Sequence, residues 1–173
     1  MKHYKCVVIG DGTVGKTSLI LTYMTNSFPD YLPAVFDNYS SSAIDENMQF
    51  IPQIEDTIGQ IEYKEHRITT SYSYVNIFVI CFSLESPDSM QNVKDLWVPE
   101  IQQNCPTVPF ILVGTKSDLS NKIPKKECEK LKKEIGAKYF IECSALRHIN
   151  VKEVFDLAFE ICINQDKSKC SIQ

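Results

Sequence analysis

The chain reads as a doubly wound α/β domain with a mainly parallel sheet, and two features predict it. Short, branched apolar runs alternate with stretches of helical period along the whole length. The first run, Cys6-Val7-Val8-Ile9, leads straight into Gly10-Asp11-Gly12-Thr13-Val14-Gly15-Lys16-Thr17-Ser18 and then Leu19-Ile20-Leu21-Thr22-Tyr23. That is a glycine-rich strand-to-helix turn, the place where such sheets bind ligands, beyond the carboxyl ends of the strands.

The remaining elements follow in order. Asn26 to Tyr39 carries Pro, Asp, Phe and Tyr without a sustained period, which predicts a long ordered loop. Ser40 to Asp45 and Met48 to Glu55 alternate like a hairpin around Glu46-Asn47, with Pro52 unable to donate a ladder hydrogen bond. Val75 to Phe82 and Phe110 to Gly114 are buried-strand runs. Between them, Met90, Val93, Leu96, Trp97 and Ile101 recur at helical spacing, so Trp97 is expected to pack a helix face onto the core. Lys125 to Glu134 predicts a helix ending near Gly136, and Lys138 to Cys143 a strand. Val151, Val154, Phe155, Leu157, Ala158 and Ile161 form the buried face of a last helix.

With 173 residues, 43% of them hydrophobic, the chain suffices for one well-buried core and falls short of two ordinary domains. A net charge of −4 and a pI near 5.4 argue against nucleic-acid binding, which calls for a basic patch or stripe. Seven cysteines include Cys6, Cys81 and Cys143 inside apolar runs. With no CxxC pair and no secretory leader, they are expected to be reduced core thiols of a cytoplasmic protein. No apolar stretch approaches the ~20 residues of a membrane span.

The glycine-rich turn carries specific chemistry. Gly10, four intervening residues and then Gly15-Lys16-Thr17 let successive backbone N–H groups face phosphate oxygens at a helix N-terminus, with Lys16 neutralising charge and the Thr17 hydroxyl available to Mg²⁺. A nucleoside triphosphate with magnesium is the expected cargo. Gly114-Thr115-Lys116-Ser117-Asp118 follows a predicted strand and puts the Asp118 carboxylate at the ligand edge, where it can accept two hydrogen bonds from guanine that adenine cannot supply. The stem of Lys116 can lie along the base, and Phe28 can cover the sugar or base from the other side. Glu142-Cys143-Ser144-Ala145-Leu146 can offer backbone N–H groups to the guanine carbonyl.

With these three motifs in order, the chain resembles the Ras-like small GTPases over almost its whole length. It is closer still to the Rho/Rac branch in Phe28-Pro29, Val35-Phe36-Asp37-Asn38-Tyr39, Cys81-Phe82-Ser83-Leu84, Trp97-Val98-Pro99-Glu100 and Thr115. The resemblance implies a small-G-protein domain over 1–164 with a six-stranded, mainly parallel sheet and helices on both faces, and a tail over 165–173. It implies GTP and GDP as ligands, held by Gly12, Thr13, Val14, Gly15, Lys16, Thr17, Ser18, Phe28, Gly59, Thr115, Lys116, Asp118, Leu119, Ser144, Ala145 and Leu146. Mg²⁺ falls to Thr17 and Asp56, and hydrolysis to Gln60, Lys16 and Gly12. Effectors would read Val35, Phe36, Asp37, Asn38 and Tyr39 of the first switch loop. Exchange factors and GTPase-activating proteins are further partners of such a protein, and a monomer is expected.

The chain departs from the family at definite places. Ala34 stands where a switch threonine normally gives Mg²⁺ a second hydroxyl, so the first switch should close less firmly. Ile58 replaces a small alanine, and its branched side chain should hinder the approach of the Gly59 N–H. Weak intrinsic turnover is therefore expected, with a hydrolysis-deficient, GTP-locked module of the Rnd type as the alternative. A P-loop kinase or ATPase would share the first motif and lack the other two. Ile61 to Ser71 shares little with the usual second switch beyond Tyr63, Glu55 replaces a tryptophan of Rac-like members, and the Rho insert after Asp118 is missing. The chain ends Cys170-Ser171-Ile172-Gln173, an imperfect prenylation box pointing to farnesyl on Cys170. Lys167 and Lys169 add a thin basic patch, so reversible attachment to the cytoplasmic face of membranes is expected.

Overall fold

The computed structural model describes residues 2–32, 38–40, 50–120 and 122–170, with the backbone alone for 38–40, 169 and 170. The elements run β1 Lys2–Ile9, α1 Lys16–Thr25, β2 Asn38–Ser40, β3 Phe50–Asp56, a 3₁₀ turn Ile61–Tyr63, α2 Lys64–Ser71 and β4 Ile77–Ser83. They continue as α3 Pro87–Asn92, a π turn Val93–Trp97, α4 Val98–Asn104, β5 Phe110–Thr115, α5 Lys125–Ile135, β6 Phe140–Glu142 and α6 Val151–Cys170.

Six strands form one sheet in the order β2-β3-β1-β4-β5-β6. Every neighbouring pair is parallel except β2 with β3, where Asn38 faces Glu55 and Ser40 faces Gln53. The doubly wound expectation holds. β1 and β4 lie side by side although two strands separate them in sequence, so the strand order reverses there and opens the crevice above their carboxyl ends.

The period of two in each strand explains why both faces are buried. Cys6, Val8, Val79, Cys81, Ile111 and Val113 meet Leu19 and Ile20 of α1 and Val154, Phe155 and Ala158 of α6. Their alternates Val7, Ile9, Phe78, Ile80, Phe82 and Leu112 meet Val93, Trp97 and Ile101, with Cys128, Leu131 and Ile135 of α5. A strand covered on both sides needs an unbroken apolar run, as β4 shows. Cys6, Cys81 and Cys143 are free, buried thiols.

Boundaries shifted where local pattern was weak. β4 begins two residues later than expected; a strand at Asn38–Ser40 precedes the expected hairpin, of which 41–49 lie outside the described residues. Pro52 sits inside β3 opposite Tyr4, its missing N–H tolerated in an otherwise regular ladder. α5 ends on Gly136 in the left-handed conformation, as its glycine predicts. α6 continues to Cys170, through residues assigned to the tail.

Candidate nucleotide site

Everything with chemistry converges on the carboxyl edge of the sheet. The phosphate loop leaves β1 at Gly10, whose φ is 144° and whose Cβ would sit 2.1 Å from the Cys81 carbonyl oxygen; glycine alone lets β1 turn so close to β4. Thr13 and Gly15 are also at positive φ, which curls the loop around its own amides. No side chain caps the start of α1, so its first-turn amides remain offered to an anion.

Lys16 is folded into that curl. Its Nζ donates to the Gly10 carbonyl at 2.9 Å and the Asp11 carbonyl at 2.7 Å, and only 6% of the residue is exposed. Burial lowers its pKa, with Asp56 the chief opposing influence. Asp56, at the end of β3, accepts the Thr17 hydroxyl at 2.5 Å and the Thr57 amide at 3.0 Å. Burial pushes its carboxyl up, against the Thr17 bond and the Lys16 charge. The loop and the end of β3 therefore bring together a buried cation and a buried carboxylate beside a ligand site.

The base end is a cleft of about 230 Å³ running from Gly15, Ser18 and Leu19 past Phe28 to Lys116, Asp118, Leu119, Ala145 and Leu146. Phe28 lies on its wall. Lys116 takes a left-handed backbone (φ 58°) and anchors its Nζ on Glu85 at 2.9 Å, which leaves its stem along the cleft. Ser144 departs from the expectation of a backbone donor: its N–H goes to the Ile149 carbonyl. Its side chain acts instead, the hydroxyl donating to Asp118 Oδ1 at 2.5 Å and accepting the Arg147 amide at 3.0 Å. That fixes the carboxylate expected to read guanine. Val14 also divides its roles, the side chain in the core and the carbonyl accepting the Thr115 hydroxyl at 2.5 Å.

Gly59 packs on the phosphate loop. A Cβ there would lie 2.4 Å from the Gly12 nitrogen and 2.5 Å from the Gly10 carbonyl oxygen. The branched side chain of Ile58, the residue before Gly59, is half-buried. At Gly12 a Cβ would meet no atom of the described residues within 4 Å. Gln60 is exposed and precedes the 3₁₀ turn. Ala34, Val35, Phe36 and Asp37 lie outside the described residues. Asn38 and Tyr39 belong to β2, which pairs with β3. The side chain of Cys170 is likewise outside them.

Sequence reasoning missed the polar network behind the loop. Asp11 accepts the Trp97 indole N–H and the Asn92 amide, each at 2.7 Å. Trp97 packs into the core as expected, yet its nitrogen reaches the phosphate loop. Arg67 of α2 lies over the Trp97 ring at 4.7 Å and binds both oxygens of Glu100. Neither contact leaves a mark in periodicity. The signal within reach was charge: Arg67 falls on α2 and Glu100 on an otherwise apolar helix face.

The residues fit guanine nucleotide and Mg²⁺. The described residues contain no group of three or more His, Cys, Asp and Glu able to hold a metal. Mg²⁺ at such a site needs fewer, because it takes one or two protein oxygens with substrate phosphates and water. Thr17 Oγ1 and Asp56 Oδ2 are the pair that would hold it. When bound, Mg²⁺ neutralises charge on the phosphate oxygens.

A family model described as the Ras family matches residues 5–164. The chain belongs to the Ras family of small GTPases, proteins that bind guanine nucleotides with Mg²⁺, hydrolyse GTP and act as switches. Such proteins generally bind effectors, exchange factors and GTPase-activating proteins.

Proposed function

We propose that this protein is a Rho-like switch that hydrolyses GTP slowly and recruits effectors through residues 35–39 when GTP is bound. The single observation behind the reading is the coincidence, on one sheet edge, of the curled phosphate loop, the Thr17–Asp56 pair and an Asp118 held by Ser144. The Rho-like part rests on the sequence resemblance carried by Phe28-Pro29, Val35-Phe36-Asp37-Asn38-Tyr39, Cys81-Phe82-Ser83-Leu84, Trp97-Val98-Pro99-Glu100 and Thr115.

The chain's residues divide the work. Loop amides and Lys16 hold the triphosphate, and phosphate beside Lys16 offsets the burial that depresses its pKa. Gly59 presents its backbone over the loop, and Gln60 follows it to orient the attacking water. Catalysis of this kind is positioning and electrostatics, so loss of a hydroxyl at Ala34 slows turnover without abolishing binding. The same substitution favours a second reading, a GTP-locked module that signals by abundance. Reversible membrane residence through Cys170 and a cytoplasmic location belong to the proposal, tested by the mass of the cellular protein and its partition between membrane and soluble fractions.

The test is single-turnover hydrolysis of bound GTP, with Mg²⁺ and with chelator, for wild type, Ala34→Thr, Ile58→Ala, the double variant and Gln60→Leu. Measurable turnover in wild type, lost in Gln60→Leu, supports the switch. Intact GTP in wild type with turnover restored by Ala34→Thr establishes the locked module.

A further inference from the structure

Arg67 is the most heavily committed side chain near the site. Its Nε and one terminal nitrogen form a two-pronged bond to Glu100 at 2.9 and 2.8 Å, and the other terminal nitrogen donates to the carbonyl oxygens of Ile58 at 2.7 Å and Gln60 at 3.2 Å. Its side chain is 2% exposed. One planar group thus grips α4 with one edge and, with the other, the backbone on both sides of Gly59.

The grip is referenced to the phosphate loop. Trp97, under the guanidinium, donates to Asp11 beside Asn92. These two donors are five residues apart, which an α-helix would point in different directions; the π turn, marked by the Val98 N–H reaching the Val93 carbonyl, brings them onto one carboxylate. Tyr72 closes the far side by donating to Glu100 at 2.5 Å.

We propose that Arg67 is a positioning residue for GTP hydrolysis, fixing the backbone that carries Gln60 and, through Trp97 and Asp11, keeping it in register with the phosphate loop. The inference rests on the switch reading above. Arg67 does not touch the reacting atoms. A lysine at 67 could meet Glu100 as a point charge, yet it lacks the rigid fork needed to hold Glu100 and the two carbonyls together.

The experiment compares wild type, Arg67→Lys, Glu100→Gln and Gln60→Leu as full-length chains in single-turnover GTP hydrolysis and in GDP and GTP affinity. Trp97 is the chain's only tryptophan, so its emission is read as well, with GDP and with a non-hydrolysable GTP analogue. Arg67→Lys is expected to slow hydrolysis ~10–100-fold, the scale of an ångström of misplacement, with affinities within ~3-fold. The wild-type difference in Trp97 emission between the two nucleotides should disappear. Glu100→Gln should slow hydrolysis less, and it decides the question in the same way should Arg67→Lys fail to fold. Wild-type hydrolysis in both variants, with Gln60→Leu inactive, overturns this proposal and leaves the switch standing. A parallel fall in affinity and rate reduces Arg67 to a structural role and also overturns it. Wild type that binds GTP without hydrolysing it overturns the switch reading and this proposal together.

Discussion

The hydroxyl of Thr115 lies 2.5 Å from the carbonyl oxygen of Val14 and 3.0 Å from that of Phe82, tying the base-reading loop to the phosphate loop and to β4. One hydroxyl proton serves two acceptors in a fully buried position. Thr115→Val keeps the shape and removes the hydroxyl from both carbonyls, that of Phe82 remaining in the β4–β5 ladder and that of Val14 losing this donor, at a cost of about 1–3 kcal/mol. GDP should leave ~5–150-fold faster, with a lower melting temperature, whereas Thr115→Ser should stay near wild type. Release of a fluorescent GDP analogue measures both.

Asp118 depends on Ser144 for its orientation. Ser144→Ala removes one bond to a carboxylate that water also reaches, so guanine affinity should fall only ~3–10-fold. Asp118→Ala removes the acceptor itself, and the preference for GTP over ATP should drop ~100-fold or more. Competition of ATP and GTP against labelled GDP distinguishes the two.

Two glycines of the site should respond oppositely in stability. Gly59→Ala forces a methyl group onto Gly10 and Gly12 backbone, which must shift, at ~1–3 kcal/mol. Gly12→Ala meets open space and should change stability by less than ~0.5 kcal/mol. Thermal melts of the GDP-bound proteins test the contrast.

Alkali should unfold the protein early. Burial raises Cys81 and Cys162 to about 12 and Cys128 to about 11, and pushes Cys6 and Cys143 up strongly. Each raised group stabilises the fold fully below the ordinary thiol value of ~8.5, and that contribution is lost as pH rises toward the folded values. Lys16, lowered by burial, works in the opposite direction against these thiols. The melting temperature under reducing conditions should hold from pH 7 to about 8.5 and fall steadily by pH 10. A flat profile over that range would contradict the burial of these thiols.

The sequence by itself determined the alternating elements, the two-faced sheet and the three loops of the site, because each is local. Apolar period fixes which face a residue buries, and glycine, lysine and hydroxyl at short spacing fix what a turn can bind. Only the tertiary structure decided how those loops are held. Asp11 and Trp97 are 86 residues apart, and Val14 and Thr115 are 101 apart. Arg67 and Glu100 meet only because α2 and α4 lie on the same face of the sheet beside Trp97. The role of Ser144 followed the same rule: its hydroxyl, rather than its amide, faces Asp118 because the amide is bonded to Ile149. Polar partners of this kind are chosen by direction and distance in three dimensions, and a one-dimensional pattern of burial carries neither.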